Sequence, residues 1–264
     1  MRKIEAGMDA DRSMTGRIGR IFDCFGPGDR SLSVREIARR SSLPPATASR
    51  IINDLMDEKF LTKTSDNRVT LGMRLFELGQ LVPLHRTLRE IALSYMEDLR
   101  EASHQTVHLA ILDGSEVLYV AILGARGPKL PSRVGGRMPP NCTGVGKAIL
   151  AFSHSKIVDE LLSQALVAKT SRSIVDPAAF KLELLKIKQR GVAFDHEESG
   201  VGVTCVAAPI MRGDYAVAGL SITGNTNKLN PELFESAVRT VARSISRSLA
   251  EIPTPTFARL DQQI

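Results

Sequence analysis

The chain has 264 residues, 43% hydrophobic and 24% charged, which suits one large domain or a small one joined to a medium one, with a sizeable buried core. No apolar run approaches the roughly 20 residues needed to span a bilayer, Met1–Asp11 carries acids where a signal peptide needs an apolar core, and three scattered cysteines (Cys24, Cys142, Cys205) form neither a disulfide framework nor a CxxC pair, so a reducing, cytoplasmic setting is expected. The net charge of +6 is compatible with a polyanionic partner, and most of it falls in one window, Arg30–Arg74, where nine Lys and Arg residues stand against five Asp and Glu.

In chain order, Met14, Ile18, Ile21, Phe22 and Phe25 recur at helical spacing and predict an amphipathic helix over about 14–25. Gly26-Pro27-Gly28-Asp29 ends it. Ser33-Val-Arg-Glu36 is a capping box that starts a short helix, Val34 to Arg40. After the turn Ser41-Ser42-Leu43, Pro44 and Pro45 stand where a third helix opens, a tolerated place because the first amides of a helix have no intrahelical partner. Ala48, Ile51, Ile52, Leu55 and Met56 make its apolar stripe, and Thr47, Ser49, Arg50 and Asn53 its polar face. Two short helices joined by a tight turn, the second presenting hydrogen-bonding side chains, form a helix-turn-helix, here centred on Leu43–Met56. Phe60–Lys63, Thr64–Asn67 and Arg68–Leu71 then predict a hairpin, placed like the wing of a winged helix. Double-stranded DNA is the expected partner, faced by Arg35, Pro45, Thr47, Ser49, Arg50 and Asn53, with Lys63 and Arg68 as phosphate contacts of the wing. The alternative for this segment is a helical module that binds protein.

Gly72–Gly79 predicts a short helix, and Pro83 opens a longer one to about Ser103 with Leu84, Leu88, Ile91, Tyr95 and Leu99 on one face. That helix either links two domains and packs against a second copy, or is a core helix of the second domain. From Gln105 the period changes to two: Gln105–Leu112 and Glu116–Leu123 flank the hairpin signal Asp113-Gly114. The Gly- and Pro-rich stretch Gly124–Pro140 is too long for a plain turn and is a candidate functional loop. Helices are expected over Thr143–Phe152 and Lys156–Gln164, and another from the Asp176-Pro177 cap to Gly191. Strands are expected over Val192–Glu197, Val203–Met211 and Tyr215–Thr223. The last helix starts at Asn230-Pro231 and buries Phe234, Ala237, Val238, Val241, Ile245 and Leu249. This order describes an α+β, sensor-type domain on an antiparallel sheet.

Four motifs occur along this frame: Leu43-Pro-Pro-Ala-Thr-Ala-Ser-Arg-Ile-Ile, Thr143-Gly-Val-Gly-Lys-Ala-Ile-Leu-Ala151, Asp195-His-Glu-Glu198 and Gly202-Val-Thr-Cys205-Val-Ala-Ala-Pro209. Together, over roughly residues 14–250, they closely resemble the IclR family of bacterial transcriptional regulators. The resemblance implies an N-terminal winged helix-turn-helix DNA-binding domain (12–78), a linker helix region (79–103), a C-terminal GAF-like α/β effector-binding domain with a mainly antiparallel sheet (104–252) and a flexible tail (253–264). It implies a homodimer, or a dimer of dimers, that represses or activates at a (pseudo)palindromic promoter site. The effector it implies is a small molecule, an organic acid or an aromatic catabolite, with no membrane partner. Carried over position by position, the effector pocket resembles the backbone of Gly144 and Val145 with the side chains of Asp195, Cys205, Ser221 and Thr223, the last standing where the family usually has Ser.

Residue chemistry is compatible with that assignment. Thr143-Gly-Val-Gly-Lys-Ala opens a helix whose free amides and dipole favour an anion. It is no phosphate loop, because one Gly pair precedes Lys147 and Ala148 replaces the magnesium-binding hydroxyl. Cys205 is, as a type, a small buried hydrophobe. An enzyme would pair it with His196 or His108 as base, but no orienting third group is recognisable. No His or Cys spacing suits zinc, and no cofactor is expected.

Overall fold

The computed structural model describes residues 13–124, 130 and 132–252, and the chain divides after Val82 into two units. The expected tail, 253–264, and residues 125–129 and 131 of the Gly- and Pro-rich stretch lie outside the described residues.

In the first unit, α1 (Met14–Asp23) is capped by Ser13, whose Oγ accepts from the Gly16 amide at 2.9 Å. Helix α2 (Val34–Arg40) carries the expected capping box: Ser33 Oγ accepts from the Glu36 amide at 3.2 Å, and Glu36 Oε2 accepts from the Ser33 amide at 2.7 Å. Helix α3 (Pro45–Asp57) buries Ala48, Ile51, Ile52 and Leu55 against Ile21, Leu32 and Ile37. The two-helix turn passes through Ser42 at φ 54, in the left-handed region. Strands β1 (Leu61–Lys63) and β2 (Val69–Leu71) pair antiparallel, and Asn67, a residue that tolerates this region, sits in their turn at φ 64. A further bridge, Leu32 to Val69, ties the wing to the start of α2 and had no signal in the sequence. Helix α4 (Met73–Gln80) comes next and buries none of its residues.

The second unit begins with α5 (Pro83–Ser103) and the hairpin β3 (Thr106–Asp113) and β4 (Glu116–Leu123). Short β5 (Arg137–Met138), then helices α6 (Gly144–Ala151), α7 (Ser155–Leu162) and α8 (Pro177–Arg190) come next. Strands β6 (Ala193–His196), β7 (Val203–Arg212) and β8 (Tyr215–Asn225) and helix α9 (Glu235–Ala250) complete it. Asp176 caps α8 and Gly191 closes it, and Asn230-Pro231 opens one 3-10 turn before α9. The six strands form one antiparallel sheet in the order β5-β4-β3-β8-β7-β6.

Period-two alternation sorts the strand residues onto two faces. Val107, Leu109 and Ile111, Val206, Ala208 and Ile210, and Ala218, Leu220 and Ile222 face one core, covered by α5 and α9. Helix α5 contributes Leu88, Ala92, Met96 and Leu99 to it, so this helix is part of the second unit's core. Ala110, Ala193 and Ala207 face the other core, under Val145 and Ala148 of α6 and Phe180, Leu184 and Ile187 of α8.

Helix α6 is buried along its whole length, Lys147 included at 1% exposure. Lys147 Nζ donates to Glu198 Oε1 at 2.5 Å, joining α6 to the β6–β7 connection. Glu198 Oε2 has no partner among the described residues. Burial pushes the Glu198 carboxyl up from its ordinary range, while Lys147 pulls it down. Removing one charge from such a pair strands the other in the interior.

Both features set measurable stabilities. Ser33→Ala should lower the stability of the first unit by about 1 kcal/mol in urea unfolding, the usual worth of a cap. Glu198→Gln should cost the second unit about 3–5 kcal/mol, and the double substitution Lys147→Met with Glu198→Leu much less. A double variant as unstable as Glu198→Gln alone would show that the pair's charge is not what matters.

Candidate functional site

Helix α3 begins at Pro45 without a side-chain cap, which leaves the amides of its first turn open to an external acceptor. Pro45, Arg50 and Asn53 are exposed on it, and Thr47 and Ser49 are half-buried beside them. Arg35 on α2 and Lys63 on β1 are exposed as well. Among the described residues, no ion pair engages Arg35, Arg50 or Lys63. Arg68, also expected to contact phosphate, makes contacts within the unit as well. Its Nε donates to Ser31 Oγ and its terminal nitrogen to Ser31 O and Glu36 Oε2, each at 3.0 Å. The guanidinium therefore fixes the wing to the start of α2. Glu36 is in turn held below the usual carboxylate range by the Ser33 amide and hydroxyl, with Arg68 adding to them.

In the second unit, a cavity of about 20 Å³ lies between the start of α6 and the sheet. All six residues carried over from the resemblance line it: Gly144, Val145, Asp195, Cys205, Ser221 and Thr223. Strand register explains how. Asp195 is opposite Cys205, Cys205 is opposite Thr223, and Ser221 is opposite His108, so alternation puts a polar row across β6, β7, β8 and β3. The glycines of α6 are there for clearance. A Cβ on Gly144 would come within 2.5 Å of Cys205 Sγ, and one on Gly146 within 2.4 Å of the Pro140 carbonyl oxygen. Thr143 caps the helix by accepting from the Gly146 amide at 3.1 Å.

Asp195 organises the loop after β6. Its Oδ1 accepts from the amides of Glu198 (2.7 Å) and Ser199 (3.3 Å), and its Oδ2 from Ser199 Oγ (2.5 Å). Burial pushes its carboxyl up from the usual range, against the pull of those donors and of Lys147. The Cys205 thiol is also pushed up, by burial first and by Asp195 second, so it stays protonated and is a poor nucleophile. Neither histidine serves it as a base among the described residues. His196 stacks against Phe194, with ring centroids 5.6 Å apart. His108 engages Thr223 Oγ1 through Nδ1 (3.1 Å) and Ser132 Oγ through Nε2 (2.7 Å), and burial lowers its pKa to about 4.

Sequence reasoning missed Tyr119, Ser132 and Ser199 as wall residues and weighed His108 only as a catalytic base. The available signal was a polar residue, His108, at an alternate position between Val107 and Leu109, where the strand is otherwise apolar. A larger groove of about 630 Å³ runs past Gly114, Ile149, Lys156 and Ala216. It lacks converging buried polar groups, so the smaller cavity is the better candidate site. No cluster of three or more His, Cys, Asp or Glu fit to hold a metal occurs among the described residues, nor is any of their helices long and apolar enough to cross a membrane.

Comparison with known proteins agrees with both units. Residues 15–65 match the IclR helix-turn-helix domain, and residues 80–247 match the bacterial transcriptional regulator IclR C-terminal domain. The glycerol operon regulatory protein of Streptomyces coelicolor is 32% identical over 88% of this chain and 94% of that protein. The HTH-type transcriptional regulator XynR of Escherichia coli is 28% identical over 87% and 94%. Among solved structures, an IclR homolog of Microbacterium hydrocarbonoxydans complexed with 4-hydroxybenzoate has a TM-score of 0.84 at 27% identity, covering 90% of this chain and 99% of that one. The IclR of Thermotoga maritima has a TM-score of 0.75 at 32% identity, covering 89% and 97%. The chain belongs to the IclR family: it is a DNA-binding transcriptional regulator with an effector-binding C-terminal domain, and not an enzyme.

Proposed function

We propose that the chain acts in the cytoplasm as a homodimer on a (pseudo)palindromic promoter site, and that a small organic acid or aromatic catabolite in the α6 cavity controls its affinity for DNA. The observation that carries the effector half is the convergence of Gly144, Val145, Asp195, Cys205, Ser221 and Thr223 on one buried cavity. The start of α6 supplies amides for an acid group. Asp195 does not prevent this, because Ser199 and two backbone amides already neutralise much of its field.

On the DNA side, Thr47, Ser49, Arg50 and Asn53 of α3 read bases or phosphates, Pro45 and Arg35 lie at the rim, and Lys63 contacts phosphate from the wing. Arg68 keeps the wing in place for Lys63. For self-association, α4 offers an apolar surface: Met73 and Phe76, with Leu81 just beyond, are 69%, 60% and 68% exposed. An apolar face of this kind suits a two-fold contact with a second copy.

Size accounts for effector control. A ligand such as the 4-hydroxybenzoate of the Microbacterium homologue is far larger than about 20 Å³, and ligand sites commonly enclose about 300–1,000 Å³. On this reading binding widens the cavity, and a ligand that favours the widened state shifts the protein toward it.

Arg50→Ala should weaken binding to promoter DNA roughly tenfold and flatten its salt dependence by about one counterion, with thermal unfolding unchanged. Complete lack of DNA affinity in the unsubstituted chain at low salt would sink the DNA-binding reading of α3. Thr223→Val, which removes one hydroxyl at constant shape, should raise about tenfold the effector concentration that half-shifts DNA affinity. Titrating 4-hydroxybenzoate and a panel of small acids in a mobility-shift assay measures it, and an unaltered midpoint would remove Thr223 from the site.

A further inference from the structure

The cavity wall remote from Gly144 carries chemistry that the six carried-over residues do not include. Tyr119, on β4, is 6% exposed, and its hydroxyl donates only to the Met138 thioether, at 3.7 Å. A thioether is a weak acceptor, so this buried hydroxyl lacks a full partner among the described residues. His108, on neighbouring β3, is 2% exposed, and its ring centroid lies 5.2 Å from that of Tyr119. Gly144 approaches Cys205 on β7, and β8 and β3 separate β7 from β4. The backbones of β7 and β4 are thus about three strand spacings apart, roughly 14 Å, and side chains from both strands converge on the cavity between them.

The Tyr119 end is polar and uncharged. Burial keeps the His108 imidazole neutral and pushes the Tyr119 hydroxyl above its ordinary range. Asp195 is the only charged side chain lining the cavity among the described residues, and it stands on β6, at the other end of the row. A carboxylate beside Tyr119 would have neither a counter-charge nor the amides that the start of α6 offers at the other end. A methyl group there would leave the hydroxyl without a partner. Neutral imidazole has one donor and one acceptor nitrogen, and hydroxyls rotate. The chain Ser132, His108, Thr223 and Ser221, closed by a 3.4 Å contact between the last two, can therefore run in either sense. A ligand hydroxyl, which both gives and accepts, matches such a wall.

We propose that Tyr119 and His108 form the specificity pair of this cavity, and that they select small monocarboxylates bearing a hydroxyl group at the end remote from the acid. This selectivity presupposes that the cavity is the effector site for acids.

The test uses the full chain and matched probes: benzoate against 4-hydroxybenzoate, and propionate against 3-hydroxypropionate, titrated calorimetrically. The hydroxylated member of at least one pair should bind about tenfold or more tightly than its partner, as expected of a site built to hydrogen-bond that group. Tyr119→Phe, which deletes one oxygen, should collapse the ratio to within about threefold. His108→Asn, which keeps a neutral polar side chain, provides a second variant should the first unfold, and should lower the ratio as well. Equal affinities within every pair, or a ratio that survives both substitutions, would overturn the specificity pair while leaving an acid site in place. Failure of all four probes to bind or to alter DNA affinity would overturn the acid-effector reading and this inference together.

Discussion

The second unit depends on one buried ion pair. Lys147 is 1% exposed in the middle of a helix that is itself wholly buried, and such a charge persists in the interior only with a counter-charge. Glu198 supplies it from the β6–β7 connection, and with that the helix start and the loop become one piece. The same loop is held from its other end by Asp195, through Ser199 and two amides. The cavity lies beside these anchors, lined by Asp195 and Ser199 of the loop and by Thr143, Gly144 and Val145 at the start of α6. Its walls are therefore set by electrostatics and hydrogen bonds, whereas apolar packing under α5, α8 and α9 sets the frame around it.

Clearance completes that arrangement. Gly144 lets the helix end approach Cys205, and Gly146 lets it approach Pro140. A side chain at Gly144 would push α6 from β7, and one at Gly146 would push it from the turn at Pro140. Small residues and a buried charge thus serve the same end in one motif, and neither makes sense alone. The first unit uses a looser version of this economy. Glu36 closes the cap of α2 and at the same time accepts from Arg68, so one carboxylate starts a helix and anchors the wing.

Local features were legible in the sequence wherever a single turn of chain decides them. The capping box at Ser33, the proline at the start of α3, the Asp113-Gly114 hairpin and the Asp176 and Gly191 limits of α8 all recur in the structure. The polar set Asp195, Cys205, Ser221 and Thr223 came from motif resemblance, and alternation places it on one face. What could not be read depends on pairings distant in sequence. His108 reaches the site because β3 pairs with β8, and Tyr119 because β4 pairs with β3. Arg68 meets Ser31 through the Leu32–Val69 bridge, across more than thirty residues of chain. Helix α5 presents an apolar face that suits a linker or a core equally, and only the inward burial of Met96 and Leu99 decides for the core.

A cavity built this way is suited to sensing because it is under-filled in polar terms and over-constrained in shape. Among the described residues the Tyr119 hydroxyl, on the cavity wall, has only a thioether, and the Glu198 Oε2 atom, in the neighbouring ion pair, has no partner, so both retain unmet hydrogen-bonding capacity. Each unmet group makes the closed arrangement less stable than a fully paired core of the same size would be. The ion pair and the Asp195 hub, on the other hand, resist gradual deformation, since a buried charge cannot be half-separated cheaply. On the proposed function, stiff walls with latent partners would turn effector binding into a discrete change of state, which is what a regulator needs.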